Sequence, residues 1–91
     1  MPVKLSELAA KAKRDPYEFD PEDGSAVIVI AQPSIAQWRD AVRAPGVDGF
    51  LAGLGVSAAD AARVDAVMPA EGLGTEGQFV ASIRAHFGLG N

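Results

Sequence analysis

Clustered carboxylates between positions 15 and 23 are the first side chains in this sequence whose type and spacing suggest chemistry. The members are Asp15, Glu18, Asp20, Glu22 and Asp23. Calcium prefers such oxygen ligands, but its helix-loop-helix sites need an alternating ligand pattern followed by a bidentate glutamate. Pro21 and Glu22 break that alternation, and no later glutamate has the required spacing. Alternating strand positions and a polar turn explain the acids, so we predict no metal site.

The single histidine and the glycine-rich segments do not form a catalytic motif. Catalysis by His86 would need a nucleophile or an orienting carboxylate, and no motif supplies either. We expect His86 to be partly exposed near a helix C-terminus, where its protonated ring would interact favourably with the helix dipole. The segments GFLAGLG and GLGTEG follow no predicted strand and contain no P-loop lysine. We therefore predict that the protein is not an enzyme and has no catalytic residues and no cofactor.

The net charge of −4 is unevenly distributed along the chain. Residues 1–14 carry four basic residues and one acid, whereas residues 15–91 carry four basic residues and eleven acids. Phosphate contacts need a positive surface, so the acidic body argues against nucleic-acid binding. The basic segment is either a solvated helix face or a contact for an acidic partner or for the protein's own acidic stretch.

Membrane insertion and secretion are not expected. The longest uninterrupted apolar run has six residues, far short of the roughly 20 that span a bilayer. The N-terminus lacks the apolar core of a signal peptide. Without cysteine, neither a disulfide framework nor a thiolate metal site is available. A soluble, cytoplasmic protein is the expectation.

The first elements that the sequence predicts are a helix over residues 3–14 and a hairpin over residues 17–31. The helix has an apolar face, with the lysines opposite, and it ends before Pro16. The apolar face holds Val3, Leu5, Leu8 and Ala12. In the hairpin, Tyr17 and Phe19 alternate with acidic residues, and PEDG at residues 21–24 has the residue types that favour a turn. The returning strand, AVIVIA at residues 26–31, is apolar on both faces, so it is either fully covered or awaits a partner.

Three to four short helices are predicted after the hairpin. Ser34 and Gln37 form a capping box that opens the first of them. Its apolar face holds Ile35, Trp38 and Val42. Residues 47–55 predict a short helix with Asp48 as its cap, and its candidates for burial are Phe50, Leu51 and Leu54.

Two further helices complete the predicted fold. Ser57 opens one whose inward residues are Ala61, Val64 and Met68, and a second capping box, Thr75 with Gln78, opens the last. The last helix has an apolar stripe of Phe79, Val80, Ile83 and Phe87 and stops at Gly88. The fold class is α+β and mostly helical. We predict one small domain over residues 1–91, divided into a basic N-terminal helix (1–14), a β-hairpin (17–31) and a helical part (34–90).

Partner binding is the function that the residue pattern favours. A short chain with few large apolar side chains has a thin core, which association would stabilise. One face of the returning strand, that of Val27, Val29 and Ala31 or its alternate, must pack on the helices. The other face would contact a protein partner or a second copy in a homo-oligomer. The candidate protein-binding residues are Ile28, Ile30, Trp38, Phe50 and Phe79.

The order of these parts resembles the tail assembly chaperones of long-tailed (siphovirus-type) phages that infect actinobacteria. The parts are a short charged lead, an acidic hairpin ending in an Ile/Val strand, a helix opened by QPSIAQW, and a last helix closing on HFGLGN. The resemblance covers residues 15–90, and His86-Phe87-Gly88 matches the His-aromatic-Gly ending that is frequent in the family.

The resemblance implies a non-enzymatic role in the host cytoplasm. Such a chaperone coats the long, aggregation-prone tape measure protein until tail tube subunits polymerise around it, and it is absent from the finished virion. A longer form made by translational frameshifting is typical of the family. The alternative is a structural virion protein, a capsid decoration or head–tail connector subunit, that forms an oligomer through the apolar strand.

Overall fold

A computed structural model describes residues 2–88 as helices around one short antiparallel hairpin, which confirms the α+β, mostly helical fold class. The elements are α1 (Leu5–Ala12), β1 (Tyr17–Phe19), β2 (Ile28–Ile30), α2 (Ile35–Arg43), α3 (Val47–Gly53), α4 (Ala58–Val67), a 3₁₀ turn (Met68–Ala70) and α5 (Thr75–Phe87). The predicted end of the helical part, at residue 90, lies outside the described residues, as does the first residue of the basic segment.

The hairpin buries one face and exposes the other. Its register pairs Tyr17 with Ile30, Glu18 with Val29 and Phe19 with Ile28. Ile28 and Ile30 are each only 1% exposed, whereas Val29 between them is 56% exposed. Successive side chains of a strand point to opposite faces, so the two isoleucines enter the core and the valine faces solvent.

The core is a single apolar cluster built from the hairpin and the helices that follow it. Its buried members are Ile28, Ile30, Ala41, Val47, Phe50, Leu51, Leu54, Ala61, Val64, Met68, Phe79, Ile83 and Phe87. Tyr17, Phe19, Trp38, Val56 and Val80 pack against it from its edge. Helix α1 contributes no buried residue, so the core is assembled without the N-terminal segment.

Helix α2 begins where the sequence predicts but buries a different face. The capping box is confirmed, because the Gln37 backbone N–H donates to Ser34 Oγ at 3.1 Å and the Ser34 N–H donates to Gln37 Oε1 at 2.8 Å. Ile35 and Val42, however, are 69% and 49% exposed, so the predicted apolar face of α2 is not the face that is buried. The buried residue of α2 is Ala41, a small side chain that lets α2 approach α3 closely.

The later helices follow the predicted inward faces, but two of their predicted caps were wrong. Ser57 caps α4 by accepting a hydrogen bond from the Asp60 N–H at 3.2 Å. Helix α5 instead starts after Gly74, which has a left-handed backbone and no side-chain cap, so Thr75 already lies inside the helix. Helix α3 likewise starts after Gly46, which places Asp48 in its first turn and not at its cap.

Candidate functional site

The outward face of the hairpin carries apolar side chains that stay about half exposed within residues 2–88. We call this surface the outer hairpin face and define it by Val27, Val29, Ala31 and Glu18. Val27 is 47% exposed and Val29 is 56% exposed, while Glu18 lies directly across from Val29 on β1. Within residues 2–88 the sheet has only these two strands. Each strand therefore keeps one edge free of strand pairing, and such edges can accept an added strand.

Four of the five candidate protein-binding residues lie in the core and not on a surface. Ile28 and Ile30 are 1% exposed, and Phe50 and Phe79 are 5% and 6% exposed. Side chains buried to this degree cannot contact a partner in this conformation. The strand does have a covered and an open face, but the open one belongs to the valines, and the prediction that named the isoleucines is corrected accordingly.

Trp38 is the one candidate that reaches the surface. It is half-buried, and its ring meets the Phe50 ring edge-on with centroids 5.7 Å apart. The Arg84 guanidinium lies 5.6 Å from the indole centroid, within the range of a cation–π contact. Trp38 thus links α2 to α3 and α5, and only part of its ring remains available to a partner.

The N-terminal arm, which we define as residues 3–12, is the second apolar surface left open. Leu5 is 82% exposed and Leu8 is 52% exposed. The arm is tied to the body at its base by the Gln32 side chain, whose Nε2–H donates to the Ala12 carbonyl at 3.1 Å. Gln32 Oε1 in turn accepts from the Arg14 N–H at 2.8 Å. The base of the arm is therefore positioned next to the end of β2, while Leu5 and Leu8 stay exposed.

The acidic cluster shapes the hairpin turn. Asp20 Oδ1 accepts from the Glu22 N–H at 2.8 Å, and Asp23 Oδ1 accepts from the Ser25 N–H at 3.0 Å. Such aspartate-to-backbone bonds are typical of turns. Within the described residues, no group of three or more potential ligand side chains has a geometry that would hold a metal ion.

Arg63 joins this turn to α4, a link that sequence reasoning missed. Its Nε donates to Asp23 Oδ2 at 2.9 Å, its Nη2 donates to Asp23 Oδ1 at 3.0 Å, and Nη2 also donates to the Ala26 carbonyl at 2.6 Å. Its Nη1 donates to Asp60 Oδ1 at 3.1 Å. The hydrogen bonds from Arg63, followed by the Ser25 N–H, lower the pKa of Asp23 from 3.8 to about 2. The hydrogen bond to Asp23 correspondingly raises the pKa of Arg63.

We expect the Asp23→Asn variant to be less stable than the wild type at neutral pH, with the difference disappearing in acid. Because the folded-state pKa of Asp23 is depressed to about 2 from 3.8, its stabilising contribution is complete above about pH 4 and is lost as the pH falls towards 2. Urea unfolding at a series of acidic pH values measures this. Asp65→Asn, on the exposed side of α4, is the control. Equal pH dependence in wild type and Asp23→Asn would contradict the assigned role of Arg63.

His86 anchors the segment before β1 to α5. Its Nε2–H donates to the Asp15 carbonyl at 2.7 Å, and its ring meets the Tyr17 ring edge-on at 5.5 Å. The hydroxyls of Tyr17 and Ser82 are hydrogen-bonded at 3.0 Å. These contacts fix the direction in which the chain leaves the body towards the arm.

Comparison of the chain with protein-family models, with curated proteins and with solved structures finds no match. In the part of the chain that the structure describes, no helix is both long enough and apolar enough to cross a membrane. The outer hairpin face and the N-terminal arm are therefore the two apolar surfaces that we consider as candidate binding surfaces.

Proposed function

We propose that this protein is a non-enzymatic tail assembly chaperone that binds the tape measure protein of a long-tailed phage and keeps it soluble while the tail tube assembles. The observation that supports the proposal is the outer hairpin face, where Val27 and Val29 stay about half exposed on either side of the buried Ile28. The resemblance of residues 15–90 to that family gives the identity of the partner.

The size of this surface fits a reversible contact. Complete burial of a valine-sized side chain contributes about 1.5–3 kcal/mol, and each of the two valines has about half of its surface left to bury. Together they would supply roughly 2 kcal/mol. A gain of this size is too small to hold a partner by itself, since even millimolar binding needs about 4 kcal/mol. The valines would therefore act together with further contacts, and the combined contact could stay weak enough for tail tube subunits to displace it.

The open strand edges indicate how an extended partner segment would add to this contact. A segment that pairs with a free edge gains main-chain hydrogen bonds that do not depend on its sequence. Alternate side chains of the added strand would then lie beside Val27 and Val29. This mode suits a chaperone that covers many different stretches of one long protein.

Co-expression with the cognate tape measure protein tests the proposal. We expect the tape measure protein to move from the insoluble to the soluble fraction and to co-purify with this chain. Unchanged solubility together with no co-purification would refute it.

The alternative, a structural virion protein, makes a different prediction about the finished particle. The same outer face and open edges would then be covered permanently by neighbouring subunits. Mass spectrometry of purified particles separates the two functions, because the chaperone is expected to be absent from the virion. Detection of this chain at a stoichiometry typical of capsid or connector subunits would favour the structural alternative.

A further inference from the structure

A groove between the hairpin and the C-terminal helices combines an apolar floor with an acidic rim. It encloses about 340 Å³ and includes Phe19, Met68 and Phe79 among its lining residues. Its rim carries the carboxylates of Asp20, Glu22 and Glu71, and no lysine or arginine lines it. We call it the acidic groove. Its chemistry fits an amphipathic helix that has apolar residues on one face and positive charges beside them.

The N-terminal arm has this complementary chemistry. Leu5 and Leu8 are exposed, and Lys4 and Lys11 lie four residues before and three residues after Leu8. Lys11 lies one helical turn after Leu8 and therefore shares its face, while Lys4 is the N-cap residue of α1, one turn before Leu8. The predicted placement of the lysines opposite the apolar face therefore does not hold for Lys11. The segment that contains the arm is net positive, whereas the rest of the chain is net negative. The arm is therefore complementary to the groove both in its apolar residues and in its charge.

We propose that the N-terminal arm of one copy of this protein docks into the acidic groove of a second copy. No arm residue lines the acidic groove within the same chain. Gln32 holds the base of the arm at Ala12 and Arg14, and the molecule is elongated, with extents of 54 × 25 × 20 Å. An arm held in this way reaches outward, where the groove of another copy can receive it.

Reciprocal docking of the two arms would give a closed dimer. If each arm enters the groove of the other copy, the two contacts are identical and related by a two-fold axis, the commonest symmetry of soluble oligomers. The leucines then cover the apolar floor, and the lysines face the carboxylates on the rim. Because exposed ion pairs contribute little energy individually, the charges set the orientation of the arm while the leucines provide most of the affinity. The outer hairpin face is not part of this contact.

Charge reversal on each side of the contact, measured on the full chain by sedimentation equilibrium, tests the proposal. One variant is Lys4→Glu/Lys11→Glu in the arm, and the other is Glu22→Lys/Glu71→Lys in the groove. Neither glutamate side chain makes a hydrogen bond among the described residues, and α1 buries nothing, so both variants are expected to fold. Asp40→Lys/Asp65→Lys, which makes the same charge change outside the acidic groove, is the matched control for the groove variant. Arg39→Glu/Arg43→Glu, at two exposed positions of α2, is the matched control for the arm variant.

We expect the wild type and both controls to form dimers, and each reversal to weaken dimerisation about tenfold or more. An equimolar mixture of the two reversed variants should recover a heterodimer, because the reversed arm then meets a reversed groove. The proposal is overturned if the wild type is monomeric or if the arm variant dimerises as well as the wild type. It is also overturned if a control dissociates as much as its variant or if the mixture fails to associate. If the groove variant does not fold by circular dichroism, the arm variant against Arg39→Glu/Arg43→Glu decides alone. The tape measure protein is absent from this assay, so the result is independent of the proposed chaperone function.

Discussion

Replacing Ile30 with lysine is expected to unfold the protein. The Ile30 side chain is 1% exposed and lies across from Tyr17 on the buried side of the hairpin. A lysine there would either lose the hydration of its charge or force the hairpin away from the helices, at a cost of several kcal/mol. Small domains are stable by only about 5–10 kcal/mol. Removing the isoleucine also loses the part of this free energy that its burial contributes. Far-UV circular dichroism and urea unfolding measure the effect, and Ile28→Lys is expected to behave in the same way.

Val29→Lys is the matched control, because it places the same charge one residue away on the exposed face. Its side chain is 56% exposed and lies across from Glu18, so a lysine there can form a cross-strand pair with that acid. We expect a folded protein whose stability is within about 0.5 kcal/mol of the wild type. A folded Ile30→Lys protein, or an unfolded Val29→Lys protein, would show that the hairpin register is different.

Replacing Gly53 with alanine is expected to destabilise the protein although alanine is the better helix former. An alanine Cβ at position 53 would lie 2.7 Å from Ala41 Cα and 2.9 Å from the Ala41 backbone nitrogen. Backbone atoms cannot move aside as a flexible side chain can, so α2 and α3 would have to separate. Such overpacking costs about 1–3 kcal/mol, against a gain of about 1 kcal/mol in helix propensity. We expect a net loss of up to about 2 kcal/mol in the free energy of unfolding.

Gly77→Ala provides the comparison for this close approach. Gly77 lies in α5, and a Cβ there would meet nothing within 4 Å, so the alanine should stabilise the protein by about 0.5 kcal/mol. Urea unfolding of both variants gives the difference directly. If Gly53→Ala proved as stable as Gly77→Ala, the contact between α2 and α3 would be looser than the structure shows.

Local signals in the sequence were sufficient for most of the elements. Ser34 and Gln37 define a cap by their own spacing, and Gly88 ends α5 with a left-handed backbone. The buried face of α2 could not be obtained in this way. Periodicity favours large apolar residues such as Ile35, but the packing partner of α2 is Gly53 on another helix, and only a residue as small as Ala41 fits against it.

The buried face of the strand was within reach of the sequence. Directly paired residues in an antiparallel hairpin lie on the same face, and the apolar face of β1 is that of Tyr17 and Phe19. Their partners across the turn are Ile30 and Ile28, so a hairpin register taken from the turn would have identified the isoleucines as core residues. A strand that is apolar on both faces gives no such signal by itself.

Other features of the site depend on contacts that are distant in the sequence. Arg63 meets Asp23 across 40 positions, and no local pattern marks it as more than a solvated helix residue. The acidic groove combines lining residues from the hairpin with others from the chain between Val67 and Phe79. Its acidic rim became recognisable only after the tertiary structure had placed these segments side by side.

Two separate surfaces result from this arrangement. The acidic groove and the N-terminal arm are proposed to bring copies of the chain together, and the outer hairpin face is proposed to bind the partner. A dimer built by arm exchange would present two outer hairpin faces, and two linked weak contacts bind a long partner more tightly than one. Self-association and partner binding can therefore be disrupted by different substitutions.

The central claim is that the outer hairpin face binds the partner. It is tested most directly by comparing how much tape measure protein is captured by the wild type, Val29→Lys and Ala59→Lys. Ala59 is an exposed residue of α4 outside the outer hairpin face, so its lysine variant controls for the added charge. With all three proteins folded by circular dichroism, we expect wild type and Ala59→Lys to co-purify equal amounts of the tape measure protein and Val29→Lys to lose at least about tenfold. Equal capture by Val29→Lys would contradict the claim that the outer hairpin face is the binding surface.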